Sequence, residues 1–247
     1  MTNSPSPRAS ASSLDGDHLP TPRGTAVRAD RLEVGYGLPV SPPIDVTLDI
    51  GSALAVVGPN GCGKSTFLRT VVGLLPPVSG EVLVLEGEVD DRHRDFRADV
   101  AIELGDDAFF PALTVREHLL LTCYGHGVSD PAQVVDDELG HFGLTERADA
   151  LPAALSSGQR RRLLLASVFA RPRRLMVLDE PEQRLDTAMR GHLTHRLIEE
   201  RDGGAVLMAT HDARLVEEAA TAVLVMSESG LRLVDPEAGA RIVRDEP

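Results

Sequence analysis

Gly58-Pro59-Asn60-Gly61-Cys62-Gly63-Lys64-Ser65-Thr66 is the stretch whose reading decides the fold. It fits G-x-x-x-x-G-K-[ST] without a mismatch. An apolar run, Ala53-Leu54-Ala55-Val56-Val57, precedes it and reads as a buried strand. Thr66-Phe67-Leu68-Arg69-Thr70-Val71-Val72 follows and reads as a helix, expected to run to about Leu75 before Pro76-Pro77. Strand, glycine-rich loop and helix in that order make a phosphate site. Glycines let the backbone curl so that several N–H groups point inward, and a helix N-terminus adds partial positive charge. Lys64 is placed to reach the β- and γ-phosphates of a nucleotide, and the Ser65 hydroxyl to hold Mg²⁺. The nine residues Gly58, Pro59, Asn60, Gly61, Cys62, Gly63, Lys64, Ser65 and Thr66 are therefore all candidate nucleotide ligands, with Cys62 a spacer. Lys64 is also the only lysine among the 25 Lys and Arg residues. A planar guanidinium does not replace a compact ammonium inside a closed phosphate loop.

Composition narrows the class. The chain has 247 residues, 42 % hydrophobic and 26 % charged, which suits a soluble globular protein with a sizeable core. Aromatics are 3 %, with no Trp, so no base-stacking platform is expected. A net charge of −13 argues against nucleic acid as the main partner. Two cysteines, Cys62 and Cys123, make neither a disulfide framework nor a zinc site. No apolar run approaches the roughly 18 residues of a bilayer span. No apolar leader segment is visible either, so a cytoplasmic protein is expected.

Outward from the loop, the chain alternates strands and helices. Residues 1–24 are rich in Ser, Pro, Thr and Ala and are expected to be a disordered tail. Leu32-Glu33-Val34 reads as a short strand. Ile44 to Ile50 alternates apolar and polar, as a half-buried strand does. Glu81 to Leu85 and Val100 to Leu104 read as strands, with a charged loop at Asp90 to Asp99 between them. From Asp106 to Ser157 the signals are helical: a capping box at Thr114-Val115-Arg116-Glu117, a cap and N1 proline at Asp130-Pro131, and Thr145 as a possible cap of a third helix. Leu155 to Gln159 opens a helix that Pro172 ends. Leu175 to Leu178 and Ala205 to Thr210 are continuous apolar runs, as central parallel strands are. Ala222 to Met226 and Leu231 to Val234 read as a strand pair around Ser229-Gly230. The expectation is an α/β fold with a mostly parallel sheet and a small antiparallel β part. A core at 25–105 and 158–247 would carry an inserted helical subdomain at 106–157.

Three segments that can carry chemistry, at Gly58, Asp179 and His211, each follow directly on an apolar strand. Ligands of such sheets bind beyond the carboxyl ends of the strands, so one shared site is expected. Asp179 ends a strand as a Walker B aspartate does and is a candidate Mg²⁺ ligand, together with Ser65. Glu180 places a second carboxylate beside a triphosphate, which is electrostatically costly. Orienting and deprotonating an attacking water is the task that fits it. His211 can bridge phosphate, water and carboxylate.

Leu155-Ser156-Ser157-Gly158-Gln159 resembles the LSGGQ signature of ABC-type ATPases. With Gly58 to Thr66, Leu175 to Pro181 and His211 in the same order, the chain is similar to an ABC transporter ATP-binding subunit over roughly residues 27–226. The resemblance implies a P-loop NTPase core of RecA-like type and an ATPase that uses ATP and Mg²⁺. It implies a second ATP-binding subunit paired head to tail, with each ATP held by the phosphate loop of one subunit and by Ser156, Gly158 and Gln159 of the other. It implies a separate membrane permease at the inner face of the cell membrane. Tyr36, 22 residues before Gly58, would be the aromatic that stacks on adenine. Leu185-Asp186 matches the end of the family's D-loop.

Three departures stand out. The family's usual Gln between core and helical insert falls on Gly105, with Asp106 beside it. Ser157 replaces the first signature Gly. Glu182-Gln183-Arg184 replaces a small-residue segment. The missing Gln keeps a second reading open, an ABC-type nucleotide-gated switch with slow turnover. Arg160 to Arg162 with Arg171, Arg173 and Arg174 form a basic cluster, which is read either as a surface for lipid head groups or an acidic partner, or as a solvated helix face.

Overall fold

The structure is a computed structural model and describes residues 24–105, 109–227 and 230–245. All of the expected tail but Gly24, and Asp106, Asp107 and Ser229, fall outside these residues. In chain order the first half comprises β1 (Thr25–Glu33), β2 (Ile44–Asp49), β3 (Ala53–Val57), α1 (Lys64–Val71), β4 (Ser79–Val84), β5 (Gly87–Glu88), α2 (Arg94–Asp99) and β6 (Val100–Glu103). There follow α3 (Val115–Gly125), α4 (Pro131–His141), two 3-10 turns and α5 (Ser157–Phe169). The chain closes with β7 (Leu175–Asp179), α6 (Thr187–Glu200), β8 (Ala205–Ala209), α7 (Ala213–Ala219), β9 (Ala222–Ser227), β10 (Gly230–Val234) and α8 (Pro236–Asp245).

Two sheets result. β2-β1-β4-β5 is antiparallel, and β10-β9-β3-β8-β7-β6 is parallel except for the β10–β9 edge pair. β2 follows its alternating sequence, with Ile44, Val46 and Leu48 buried and the residues between them exposed. β3 and β8 are buried at every position, because helices or the second sheet cover both faces of the large sheet. One apolar cluster lies between the antiparallel sheet, α1 and one face of the large sheet, and includes Leu32, Ile44, Val56, Phe67 and Leu207. The other lies on the opposite face and joins Val57, Met176 and Met208 to Leu119, Leu139, Phe142 and Leu163. The helices that interrupt the β6–β7 crossover are packed onto the large sheet through α5.

Several elements differ from their expected bounds. β1 begins at Thr25, well before Leu32, because its pattern is broken by register shifts around Arg31, whose φ is +42°. α1 stops at Val71 rather than Leu75: Gly73 turns left-handed at φ +80°, and the Leu74 and Leu75 amides fold back onto the Arg69 carbonyl. The charged stretch from Asp90 holds the short α2, none of whose residues is buried. Thr145 opens a 3-10 turn (Thr145–Arg147) with no side-chain cap, not an α-helix. α8 was not foreseen; Gly239 seats it so closely that a Cβ there would stand 2.7 Å from Cγ2 of Val223.

Candidate nucleotide and catalytic site

β3, β8 and β7 are neighbours, and each delivers one candidate segment. Val56 pairs with Ala209, and Ala209 with Asp179. The Thr210 amide donates to the Val56 carbonyl at 3.2 Å, and the Glu180 amide to Ala209 at 2.8 Å. Gly58, Asp179-Glu180 and His211 therefore emerge together at the carboxyl end of the sheet.

The phosphate loop has one conformation open to it. Gly58 has φ +141°, and a Cβ there would lie 2.0 Å from the Met226 carbonyl oxygen. Gly61 and Gly63 also have positive φ. Lys64 is 5 % exposed, and its ammonium donates to the carbonyls of Gly58 at 2.5 Å and Pro59 at 3.1 Å. It closes the loop on itself, where incoming phosphate oxygens would compete for it. A cavity of about 560 Å³ adjoins the loop, walled by Pro39, Val40, Ser41, Pro59, Asn60 and Met226. The Leu38 to Pro42 stretch reaches the loop closely enough that a Cβ on Gly63 would meet Val40 Cγ2 at 3.1 Å. Tyr36 belongs to the same turn but is 71 % exposed and is not part of that wall.

Asp179 ends β7, and its Oδ1 is buried with no hydrogen-bond partner. Glu180 follows at φ +46°, in the left-handed region that non-glycine residues rarely adopt. Its Oε1 lies 3.6 Å from Nε2 of His211. A second left-handed residue, Arg184 at φ +61°, closes the turn. Gly105, Arg161, Asp179, Glu180, Gln183 and Arg184 line a cavity of about 210 Å³.

Ser156 and Gln159 form a reciprocal capping box at the start of α5. The Gln159 amide donates to Ser156 Oγ at 3.2 Å, and the Ser156 amide to Gln159 Oε1 at 2.9 Å. The amides of Ser157 and Gly158, in the first turn, have no intrahelical acceptor. Gly158 presses on the turn after Glu180: a Cβ there would be 2.8 Å from the Arg184 carbonyl oxygen. The signature segment and the catalytic turn are thus neighbours within one chain.

The basic cluster is largely bonded within the chain. Arg160, Arg162, Arg171 and Arg173 donate to backbone carbonyls, and Arg173 pairs with Glu200 as well. Burial lowers the Arg171 pKa to about 10. Arg161 is buried against Glu103. Gly105 has φ +82° and donates its amide to Glu103 at 2.8 Å, with open space where a Cβ would stand. A Gln there would have room but would strain the backbone.

Sequence reasoning missed three buried charged groups around the turn. Glu182 is 6 % exposed; its Oε1 accepts from Thr210 Oγ1 at 2.7 Å and from the His211 amide at 3.0 Å. Burial pushes its carboxyl above the usual carboxylate range. Glu103 is pushed up by burial too, against the opposing pull of Arg161. The signals were present: an acid inside the apolar run Val100 to Leu104, and an Arg four residues before Leu165 on the buried face of a helix.

A family model for ABC transporters matches residues 42–183. The chain belongs to that family. An ATP-binding protein of Brucella abortus is 36 % identical over 177 residues, 68 % of this chain and 65 % of its own length. The sulfoquinovosyl glycerol transport ATP-binding protein SmoE of Agrobacterium fabrum is 31 % identical over 195 residues, 76 % of this chain and 53 % of its own. The chain thus spans between about half and two thirds of these relatives' lengths. Among solved structures, an ATP-binding subunit of an ABC transporter superposes with a TM-score of 0.79 at 24 % identity, over 90 % of this chain and 95 % of that one. The ATP-binding cassette MJ0796, solved as a dimer bound to ADP and Pi, gives 0.75 at 20 % identity, over 85 % and 98 %. These two likenesses show that the fold is that of ABC ATPase domains: a mostly parallel sheet, an antiparallel sheet and packed helices.

Proposed function

We propose that this chain is the ATP-binding and ATP-hydrolysing subunit of an ABC transporter, coupling ATP-driven pairing and hydrolysis to a separate membrane permease. The observation that carries it is Glu180, held left-handed 3.6 Å from His211 at the end of three adjacent strands that also present the phosphate loop. Backbone amides of the loop from Asn60 to Thr66, at the N-terminus of α1, bind the β- and γ-phosphates, and Lys64 exchanges loop carbonyls for phosphate oxygens. Ser65 and Asp179 fit a Mg²⁺ site, since the buried Asp179 Oδ1 lacks a partner. Among the described residues no cluster of three His, Cys, Asp or Glu stands ready for a metal, so phosphate oxygens would complete the shell. When bound, the ion neutralises charge on the β- and γ-phosphates.

Glu180 accepts a proton from a water aligned on the γ-phosphorus, and His211 orients Glu180 and donates toward the phosphate oxygens. The new bond joins water oxygen to phosphorus, the bond to the β-phosphate oxygen breaks, and ADP and phosphate leave. Ser156, Gly158 and Gln159 of a second copy would meet the same γ-phosphate at the start of α5, where the amides of Ser157 and Gly158 are free and those of Ser156 and Gln159 are held in the capping box. The cavity beside the phosphate loop takes the base, with Tyr36 reaching it only if its turn folds inward.

No helix among the described residues is long and apolar enough to cross a membrane, which agrees with a separate permease chain. A groove of about 720 Å³ beside α2 and β6 suits such a chain. It is bounded by Leu74, Phe96 and Arg97 on one side and by Tyr124, His126 and Arg171 on the other. The protein would then sit in the cytoplasm, peripheral to the membrane, with cargo chosen by the permease. A second reading, a nucleotide-gated switch with slow turnover, is favoured by Gly105 alone. Capture separates the two. The Glu180→Gln variant, tagged and loaded with ATP, is used to pull partners from detergent-extracted membranes. A polytopic membrane protein at near-equal stoichiometry supports the transporter; a soluble partner, or none with ATP present, contradicts it.

A further inference from the structure

Two opposite charges lie buried directly behind the catalytic turn. Arg161 and Glu103 are each 5 % exposed, and Arg161 Nη1 meets Glu103 Oε2 at 2.5 Å. Arg161 Nη2 donates to the Asp179 carbonyl at 2.9 Å and to the Glu180 carbonyl at 2.8 Å. The other oxygen of Glu103 accepts the Gly105 amide at 2.8 Å. One guanidinium therefore joins the start of α5, the end of β6, the loop at Gly105 and the backbone on both sides of the Asp179–Glu180 peptide. A buried ion pair is weak evidence for stability, because an apolar pair of similar volume fills such a space as well or better. Its use here is geometric.

We propose that Arg161, oriented by Glu103, is a positioning residue that sets the conformation of Glu180 for hydrolysis. The inference rests on the ATPase reading above. A left-handed non-glycine residue persists only where its surroundings over-determine it. Glu180 is fixed on one side by its amide, bonded to the Ala209 carbonyl at 2.8 Å, and on the other by its carbonyl, which accepts from Arg161 at 2.8 Å and from the Gln183 amide of its own turn at 3.1 Å. The planar fork suits this task, since one arm faces a carboxylate while the other spans two carbonyls; an ammonium cannot do both from one place. Arg161 also lies two residues beyond Gln159. Docking at the start of α5 and the aim of Glu180 are thus joined by a single side chain. That link runs through the loop where the family's Gln is missing, and Gly105 takes part through its amide alone.

The test uses the full chain and three variants. Arg161→Lys keeps a positive charge facing Glu103 but loses the fork. The double variant Glu103→Gln/Arg161→Gln removes both charges and leaves none buried alone. Melting temperature, KM for ATP and kcat are measured together, with single-turnover hydrolysis for slow variants. The double variant is expected to melt close to the wild type. In both, KM moves less than about twofold while kcat falls at least about tenfold, as misalignment of a reacting group produces. Wild-type kcat in either folded variant overturns the proposal. So does kcat that merely follows the melting temperature, and so does loss of folding in both, which assigns the pair to stability. The third variant, Glu180→Gln, tests the reading beneath: wild-type turnover there refutes the role of Glu180 itself, whatever the Arg161 variants do.

Discussion

Gly58 has no room for a side chain. With a Cβ 2.0 Å from the Met226 carbonyl oxygen, Gly58→Ala forces two backbone segments apart. The expected outcome is a loss of about 2 kcal/mol or more in stability and loss of nucleotide binding, read by chemical denaturation and by titration with a fluorescent ATP analogue. Glu182 makes a different demand. Its carboxyl is held above the usual range by burial, so the folded state binds a proton more tightly than the unfolded chain does. The stability this contributes is complete below the unfolded pKa and is lost as pH rises through the folded pKa. Glu182→Gln is therefore expected to melt higher than the wild type at neutral pH. The difference should shrink as pH falls towards that of an ordinary glutamate, and melting curves across pH check it; a difference constant with pH contradicts the assignment. The convergence of Lys64, Asp179, Glu180 and His211 at one end of the sheet was legible because each sits in a fixed place after a strand or in a loop motif. Glu103, Arg161 and Glu182 were not, because a buried charge in sequence looks like a surface one until its partner is known. Tyr36 was expected on adenine from its place 22 residues before Gly58, and its turn leaves it exposed.

At the scale of elements, local chemistry was read well where one side chain decides it. Thr114 and Glu117 make the expected capping box, Asp130 caps α4 before its N1 proline, and Asp186 and Asp212 cap α6 and α7. Thr114→Ala and Ser156→Ala are each expected to cost about 1 kcal/mol in urea unfolding. Only Ser156→Ala should also weaken ATP-dependent association, since the proposed pairing sets the first turn of α5, and not that of α3, against a second nucleotide. Equal effects of both on association would deny the signature segment its role. Boundaries were less legible. Gly73 ends α1 early, Arg31 interrupts the alternation of β1, and α2 forms without burying a side chain. In each case a backbone angle or a charge pattern overrode the apolar period.

On the scale of the whole molecule, the order β10-β9-β3-β8-β7-β6 brings three distant segments together at the carboxyl end of the sheet. That parallel sheet was legible from its unbroken apolar runs; the order of its strands was not, because pairing between segments far apart leaves no local mark. Gly158 packs the signature segment against the turn after Glu180. Gly158→Ala is expected to leave ATP binding within about twofold while abolishing the doubling of mass that ATP gives the Glu180→Gln variant in light scattering. A mass unaffected by ATP in Glu180→Gln itself would refute the head-to-tail pair. The most direct measurement compares ATP hydrolysis by the wild type and by Glu180→Gln, with ATP binding followed in the same samples. The expected result is unchanged binding with hydrolysis reduced about 10²- to 10³-fold. Undiminished hydrolysis in Glu180→Gln, or a wild type that binds ATP and never cleaves it, would contradict an ATPase centred on Glu180.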